Sequence, residues 1–311
     1  MSTRSLALRL FAPVTLLLTA TLIASAGAVG QSGRIVTDTV SAASLANLLG
    51  APAQTRVSIY LPPSYDTSPR SRYPVVYMLH GFLATDLMWT SARPDGVDVG
   101  ALMDSLIAAG ETREMILVMP DASGPLGGSF YTNSITTGHW EDFISRDLIS
   151  YADAKFRTLA MPESRGLAGH SMGGYGALYL GMRHGGTTYG AMYAMSACCT
   201  GQFTFDPARD GAVWDSVASF TSAAAVARSG HGPWHGVVAV SAAFAPDSNK
   251  PPLFFDLAEE RHGTRWIAND SVLTRWNMYS PLLMMSRYRT NLLRMRAIQF
   301  DIGLQDEAVT A

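Results

Sequence analysis

The stretch Gly169-His170-Ser171-Met172-Gly173 comes straight after a short strand-like run, Gly166-Leu167-Ala168, and it constrains this chain more than any other feature. Its spacing, GxSxG, puts a serine on a strand-to-helix elbow. The turn is so sharp that the serine takes a strained backbone conformation, and a Cβ two positions to either side would clash. The pattern predicts a helix from Met172 to His184, stopped by Gly185-Gly186, so that the positive end of its dipole faces the serine oxygen. An anion forming there is stabilised. A bare GxSxG arises by chance in many sequences, so its meaning depends on what surrounds it.

The surroundings read as alternating strand and helix. Pro74-Val75-Val76-Tyr77-Met78-Leu79 and Met115-Ile116-Leu117-Val118-Met119 are continuous apolar runs, as expected for parallel strands covered by helices on both faces. Arg56 to Leu61 alternates polar and apolar like a half-buried strand and ends at Pro62-Pro63. Helical spacing runs from Val99 to Ala109 and from Trp140 to Phe156, and Gly190 to Met195 is a further apolar strand. This alternation predicts a mainly parallel, doubly wound sheet. At 311 residues the chain suits one large α/β domain.

Residues 29–54, rich in Ala, Ser and Gly, read as a linker or leader, with folding expected to begin near Thr55 and the catalytic domain spanning 55–311. Residues 200–280 break the rhythm with scattered Gly, Pro, Trp and Phe, which predicts an insertion over the sheet's C-terminal edge, where ligands bind in open α/β sheets. Ser280-Pro281 supplies an N-cap and a first-turn proline for a helix reaching about Leu292. Arg296 to Gly303 returns to the sheet.

Residues 1–28 read as an export signal. Arg4 and Arg9 form a basic start, Leu10 to Ile23 an apolar stretch broken by Pro13, and Ala26-Gly27-Ala28 a cleavage site. A secreted or periplasmic location is therefore expected, without a membrane span after cleavage. Removing two of the 23 basic residues leaves 21 against 25 acidic ones, a net charge of −4, which speaks against nucleic acid as a partner. The two cysteines, Cys198 and Cys199, are adjacent. Neighbours on an extended strand point to opposite faces, so two free thiols are expected rather than a disulfide between them.

Acyl transfer needs a nucleophile, a base, an orienting acid and donors for the oxyanion. Ser171 is the candidate nucleophile. The expected donors are backbone N–H groups, one from Met172 and one from the loop after an earlier strand. His80-Gly81-Phe82 follows the strand ending at Leu79, which nominates Phe82. Trp89, Trp214, Trp234, Trp266 and Phe254-Phe255 could line an apolar pocket, although aromatic residues more often serve packing. No histidine pair sits in a metal-binding motif and there is no Cys-rich cluster, so no catalytic metal is expected.

The segments Tyr73-Pro74-Val75-Val76-Tyr77-Met78-Leu79-His80-Gly81-Phe82, Val118-Met119-Pro120-Asp121, Gly128-Ser129-Phe130-Tyr131, Trp140-Glu141-Asp142-Phe143 and Ala168 to Leu178 resemble the putative esterase family. That family includes esterase D (S-formylglutathione hydrolase), feruloyl-esterase-like enzymes and the antigen 85 mycolyltransferases, all of the α/β-hydrolase fold. The resemblance covers about Thr55 to Asp306. It implies a serine-dependent carboxylic ester hydrolase that uses no cofactor. The family's Gly-x-x-Asp pattern after a late strand falls on Gly303 to Asp306, which nominates Asp306 as the acid over Asp301 and Glu307.

The base is the departure from the pattern. These hydrolases run Ser, then Asp or Glu, then His, and no histidine follows His262 here. The expectation is a chain ending one strand and one helix short of the usual fold, without its catalytic histidine loop. The alternative is an insertion histidine, His231, His235 or His262, since triads are recognised by geometry rather than order. An acyltransferase of the mycolyltransferase type and an inactive hydrolase-fold protein remain the rival functions. The expected partner is a small-molecule or glycan-linked ester, and nothing in the sequence speaks to oligomeric state.

Overall fold

The computed structural model describes residues 32–90, 96–204 and 207–306. The expected export signal at 1–28 lies outside the described residues, as do residues 307–311. Seven strands form one sheet: β1 (Arg34–Ser41), β2 (Gln54–Leu61), β3 (Val75–Leu79), β4 (Ile116–Pro120), β5 (Arg165–His170), β6 (Ala191–Met195) and β7 (Ala297–Asp301). Their order is β1-β2-β4-β3-β5-β6-β7. β2 runs antiparallel to both β1 and β4, and the remaining four pairings are parallel. The apolar runs occupy the middle, where Val75, Tyr77, Leu79, Ile116, Val118 and Met119 are all fully buried.

The helices that position the site are α1 (Val99–Ala108), α2 (Leu148–Lys155) and α3 (Met172–His184). The Asp98 side chain caps α1 by accepting from the Ala101 N–H. The helical run expected over 140–156 is present but not uniform. Trp140–Asp142 leads into a π-helical turn at Phe143–Asp147 before α2, and the Ile144 carbonyl there accepts from the Tyr189 hydroxyl at 3.0 Å. Residues 200–280 hold α4 (Pro207–Ser219), α5 (Ala223–Arg228), α6 (Pro233–Phe244), a hairpin of Glu259–His262 with Arg265–Ala268, and α7 (Asp270–Asn277).

Two expectations are corrected. Folding does not wait for Thr55, because the supposed leader contains β1, which pairs with β2 along all eight residues. Asp38 on β1 also binds Lys155 and the Tyr151 hydroxyl of α2, a long-range anchor that local composition does not reveal. The helix expected from Ser280 to about Leu292 is two short ones, α8 (Pro281–Met284) and α9 (Arg289–Arg294). Ser280 does cap the first, and the break between them brings the Tyr288 hydroxyl 2.7 Å from Arg183. Strand β7 lies at the sheet's end with every residue exposed. Among the described residues no helix is long and apolar enough to cross a membrane.

Candidate active site

Ser171 joins β5 to α3 with φ 55° and ψ −114°, a left-handed conformation that costs a non-glycine residue about 1–3 kcal/mol. The surrounding main chain holds it there. Its N–H donates to the Met195 carbonyl at 3.0 Å, and its own carbonyl accepts from Tyr175 N–H at 2.9 Å and Cys198 N–H at 3.2 Å. The glycines of the motif are required by contact. A Cβ on Gly169 would stand 2.3 Å from the Gly173 carbonyl oxygen, and one on Gly173 would stand 1.9 Å from that of Leu79.

The loop after β3 approaches the serine from the other side, since a Cβ on Gly81 would lie 3.5 Å from Ser171 Cβ. His80 fastens this loop. Its Nδ1 faces the Gly81 carbonyl at 2.8 Å and its Nε2 accepts from the Ala122 N–H at 2.7 Å, so the proton is on Nδ1. Burial pushes the His80 pKa below the usual imidazole value, and Asp121, 3.7 Å from Nε2, faces a nitrogen that carries no hydrogen. The Tyr131 hydroxyl donates to the His80 carbonyl at 2.9 Å, and Leu83 N–H donates to Gly127 at 2.8 Å. Behind the loop the carboxylate of Asp86, fully buried, accepts from the Arg56 guanidinium and the Ser58 hydroxyl. Among the described residues the N–H groups of Phe82 and Met172 donate to no main-chain acceptor.

Ser171 opens into a cavity of about 440 Å³ whose other walls include Phe82, Leu83, Thr85, Met88, His170 and His231. His170, at the unrestricted position before the serine in GxSxG, is therefore part of the cavity lining. Sequence reasoning also passed over Arg56, Ser58 and Asp86, which are far apart in the chain and carry no motif. The three insertion histidines separate. His231 lines the cavity, whereas His235 is buried, with Nε2 3.0 Å from the Val226 carbonyl and Nδ1 accepting from Gly232 N–H. His262 lies on the exposed hairpin beside Glu260.

Asp306 follows β7, its N–H closing a turn onto the Gly303 carbonyl at 3.0 Å. Its rival Asp301 is in register with Met195 and accepts from the Tyr193 hydroxyl. Cys198 and Cys199 are free thiols. Hydrogen bonding with Cys199, then burial, hold the Cys198 thiol well above its usual pKa, so it stays protonated and a poor nucleophile. Of the aromatic residues considered for a pocket, Trp89 and Trp214 are buried and Trp214 packs against Trp266 and Trp276; they serve the core. Among the described residues no group of three or more His, Cys, Asp or Glu side chains is arranged to hold a metal.

A parallel-centred sheet with a serine elbow at the C-terminal end of a middle strand is the α/β-hydrolase fold. The chain belongs to the esterase family described as "Putative esterase", whose model matches residues 51–310. It is 37% identical over 126 residues to "Esterase Rv1288" of Mycobacterium tuberculosis (strain ATCC 25618 / H37Rv), covering 39% of this chain and 25% of that one. It is 36% identical over 123 residues to an "Endo-1,4-beta-xylanase/feruloyl esterase" of Xylanibacter ruminicola, covering 38% and 16%. The match thus spans a quarter or less of these curated relatives. Among solved structures, a "ferulic acid esterase" superposes with a TM-score of 0.50 at 23% identity, over 87% of this chain and 90% of that one, which is a likeness of fold.

Proposed function

We propose that this protein is an exported serine hydrolase of carboxylic esters, working through an acyl-enzyme on Ser171. The observation that carries the reading is the elbow itself: a serine held at positive φ, facing a cavity, beside two N–H groups with no main-chain acceptor among the described residues. Ser171 Oγ would attack the ester carbonyl and release the alcohol, leaving an acyl-serine that water then cleaves to the acid. Phe82 and Met172 N–H would receive the oxyanion, with the start of α3 adding its dipole. Asp306 is the acid that would orient the imidazole taking the serine's proton.

Neutral His80 acts here only through position, since both ring nitrogens are engaged in holding the loop that carries Phe82. Export rests on the charge and hydropathy pattern of residues 1–28. The relative whose name includes feruloyl esterase makes hydroxycinnamoyl esters of sugars the first natural substrates to try, beside short p-nitrophenyl esters. Ser171→Ala should lower hydrolysis of both by at least about a thousandfold. Hydrolysis persisting in that variant at the original rate would place the nucleophile elsewhere.

A further inference from the structure

A second cavity, of about 530 Å³, lies against the far part of α3. It shares no lining residue with the Ser171 cavity. Arg183 on its wall is twelve positions past Ser171 on the same helix, about 18 Å along the axis at 1.5 Å per residue.

Three guanidinium groups face this cleft: Arg183, Arg275 and Arg287. Arg183 gives Nε to Glu141 at 2.6 Å and Nη1 to the Tyr288 hydroxyl at 2.7 Å, leaving Nη2. Arg275 gives Nη2 to Asp256 at 2.5 Å, and Asp256 also pairs with Lys250. Arg287 rests over the Tyr288 ring, 5.4 Å from its centroid, and meets no carboxylate among the described residues. Four cations thus face two carboxylates, a local excess of positive charge on a chain whose overall charge is −2.

Glu141 does not offset that excess further, because its two oxygens are already occupied by Arg183, His184 and the Tyr179 hydroxyl. Burial opposes its ionisation, but the hydrogen bonds from His184 and Arg183 outweigh burial and keep its pKa below the usual carboxyl value. Tyr179, Phe244, Tyr279 and Tyr288 make much of the remaining wall aromatic, beside Asn133, Pro246 and Met278. Tyr279 is stacked on Phe244 at 4.7 Å and 7°, and its main chain is fixed by the Tyr175 hydroxyl at 3.0 Å. Unused guanidinium donors next to firmly held rings suit a planar anion attached to a ring, and the volume suits a ligand of one or two rings.

We propose that this cleft binds a ring-borne carboxylate, such as a uronic acid unit of a polysaccharide or an aromatic acid, independently of the chemistry at Ser171. The guanidinium groups take the carboxylate and the tyrosines take the ring. Calorimetric titration of the full chain with digalacturonate, 4-hydroxybenzoate, neutral xylobiose and inorganic phosphate tests this. At least one ring carboxylate should bind saturably and about tenfold tighter than xylobiose and phosphate. The tighter of the two identifies the source as glycan or aromatic acid.

Arg287→Ala should weaken that binding about three- to tenfold, and Arg287→Glu more than tenfold. Both should keep the wild-type melting temperature and the rate on p-nitrophenyl acetate, and Ser171→Ala should bind the carboxylate unchanged. Saturable binding absent for both carboxylates, equal binding of xylobiose or phosphate, or undiminished binding in Arg287→Glu would overturn the proposal. Loss of binding in Ser171→Ala would place the ligand in the other cavity and overturn it as well.

Discussion

The two walls of the Ser171 cavity are held on different terms. The wall borne by the sheet, from Gly81 to Met88 with His170 and Ser171, is tied by main-chain bonds from Leu83 and Ser171, by both nitrogens of His80, and by buried Asp86. The wall borne by the insertion contributes His231, an exposed side chain before α6 whose ring lies 6.1 Å from that of His235. Position is enforced where a carbonyl carbon and its oxygen would have to be placed to within tenths of an ångström. Freedom is left where the remainder of a substrate would rest, and a loop can change there without disturbing the elbow.

The largest effect should come from the tied wall. In Gly173→Ala the new Cβ would fall 1.9 Å from the Leu79 carbonyl oxygen, and neither β3 nor α3 can yield without dislodging the serine. A stability loss of about 4 kcal/mol or more is expected, read as a collapse of the denaturation midpoint; a well-folded, active alanine variant would show that the elbow tolerates far more slack than its contacts imply. Asp86→Asn comes next. It leaves the Arg56 guanidinium, 40% exposed, without its charged partner, which should cost about 1–3 kcal/mol of stability. It should also lower kcat about tenfold with little change in KM, and an unchanged kcat would mean that the loop keeps its place without that anchor. The smallest effect belongs to the free wall: His231→Ala should shift KM a few-fold and kcat by less than about twofold. A fall in kcat beyond about a hundredfold would instead make His231 the group that takes the serine's proton, and the contrast between the walls would fail.

Much of the central fold was legible because its signals are local. The apolar runs ending at Leu79 and Met119 are strands because both faces are covered, and the helix from Met172 to His184 stands where its pattern and its glycine stop put it. What stayed hidden depends on distant partners. Strand β1 is hidden in a stretch, 29–54, whose Ala, Ser and Gly content reads as a leader, and only pairing with β2 and the anchor on Lys155 explain its order. The interruption after Met284 has no local breaker, and the distant contact it permits is the one between Tyr288 and Arg183. In the candidate site, Ser171 and its glycines announce themselves through spacing. The Arg56–Asp86 pair does not, since 30 residues separate its members.

The main chain of Ser171 is fully engaged, its N–H given to Met195 and its carbonyl shared by Tyr175 and Cys198. None of those bonds involves the hydroxyl, so a methyl group in its place inherits the same backbone, strain included. With Ser171 in the role proposed above, an alanine copy of this protein would be an inert cast of the working one. It offers a means of catching an unreacted ester from a natural mixture and learning by isolation what the molecule was shaped to meet.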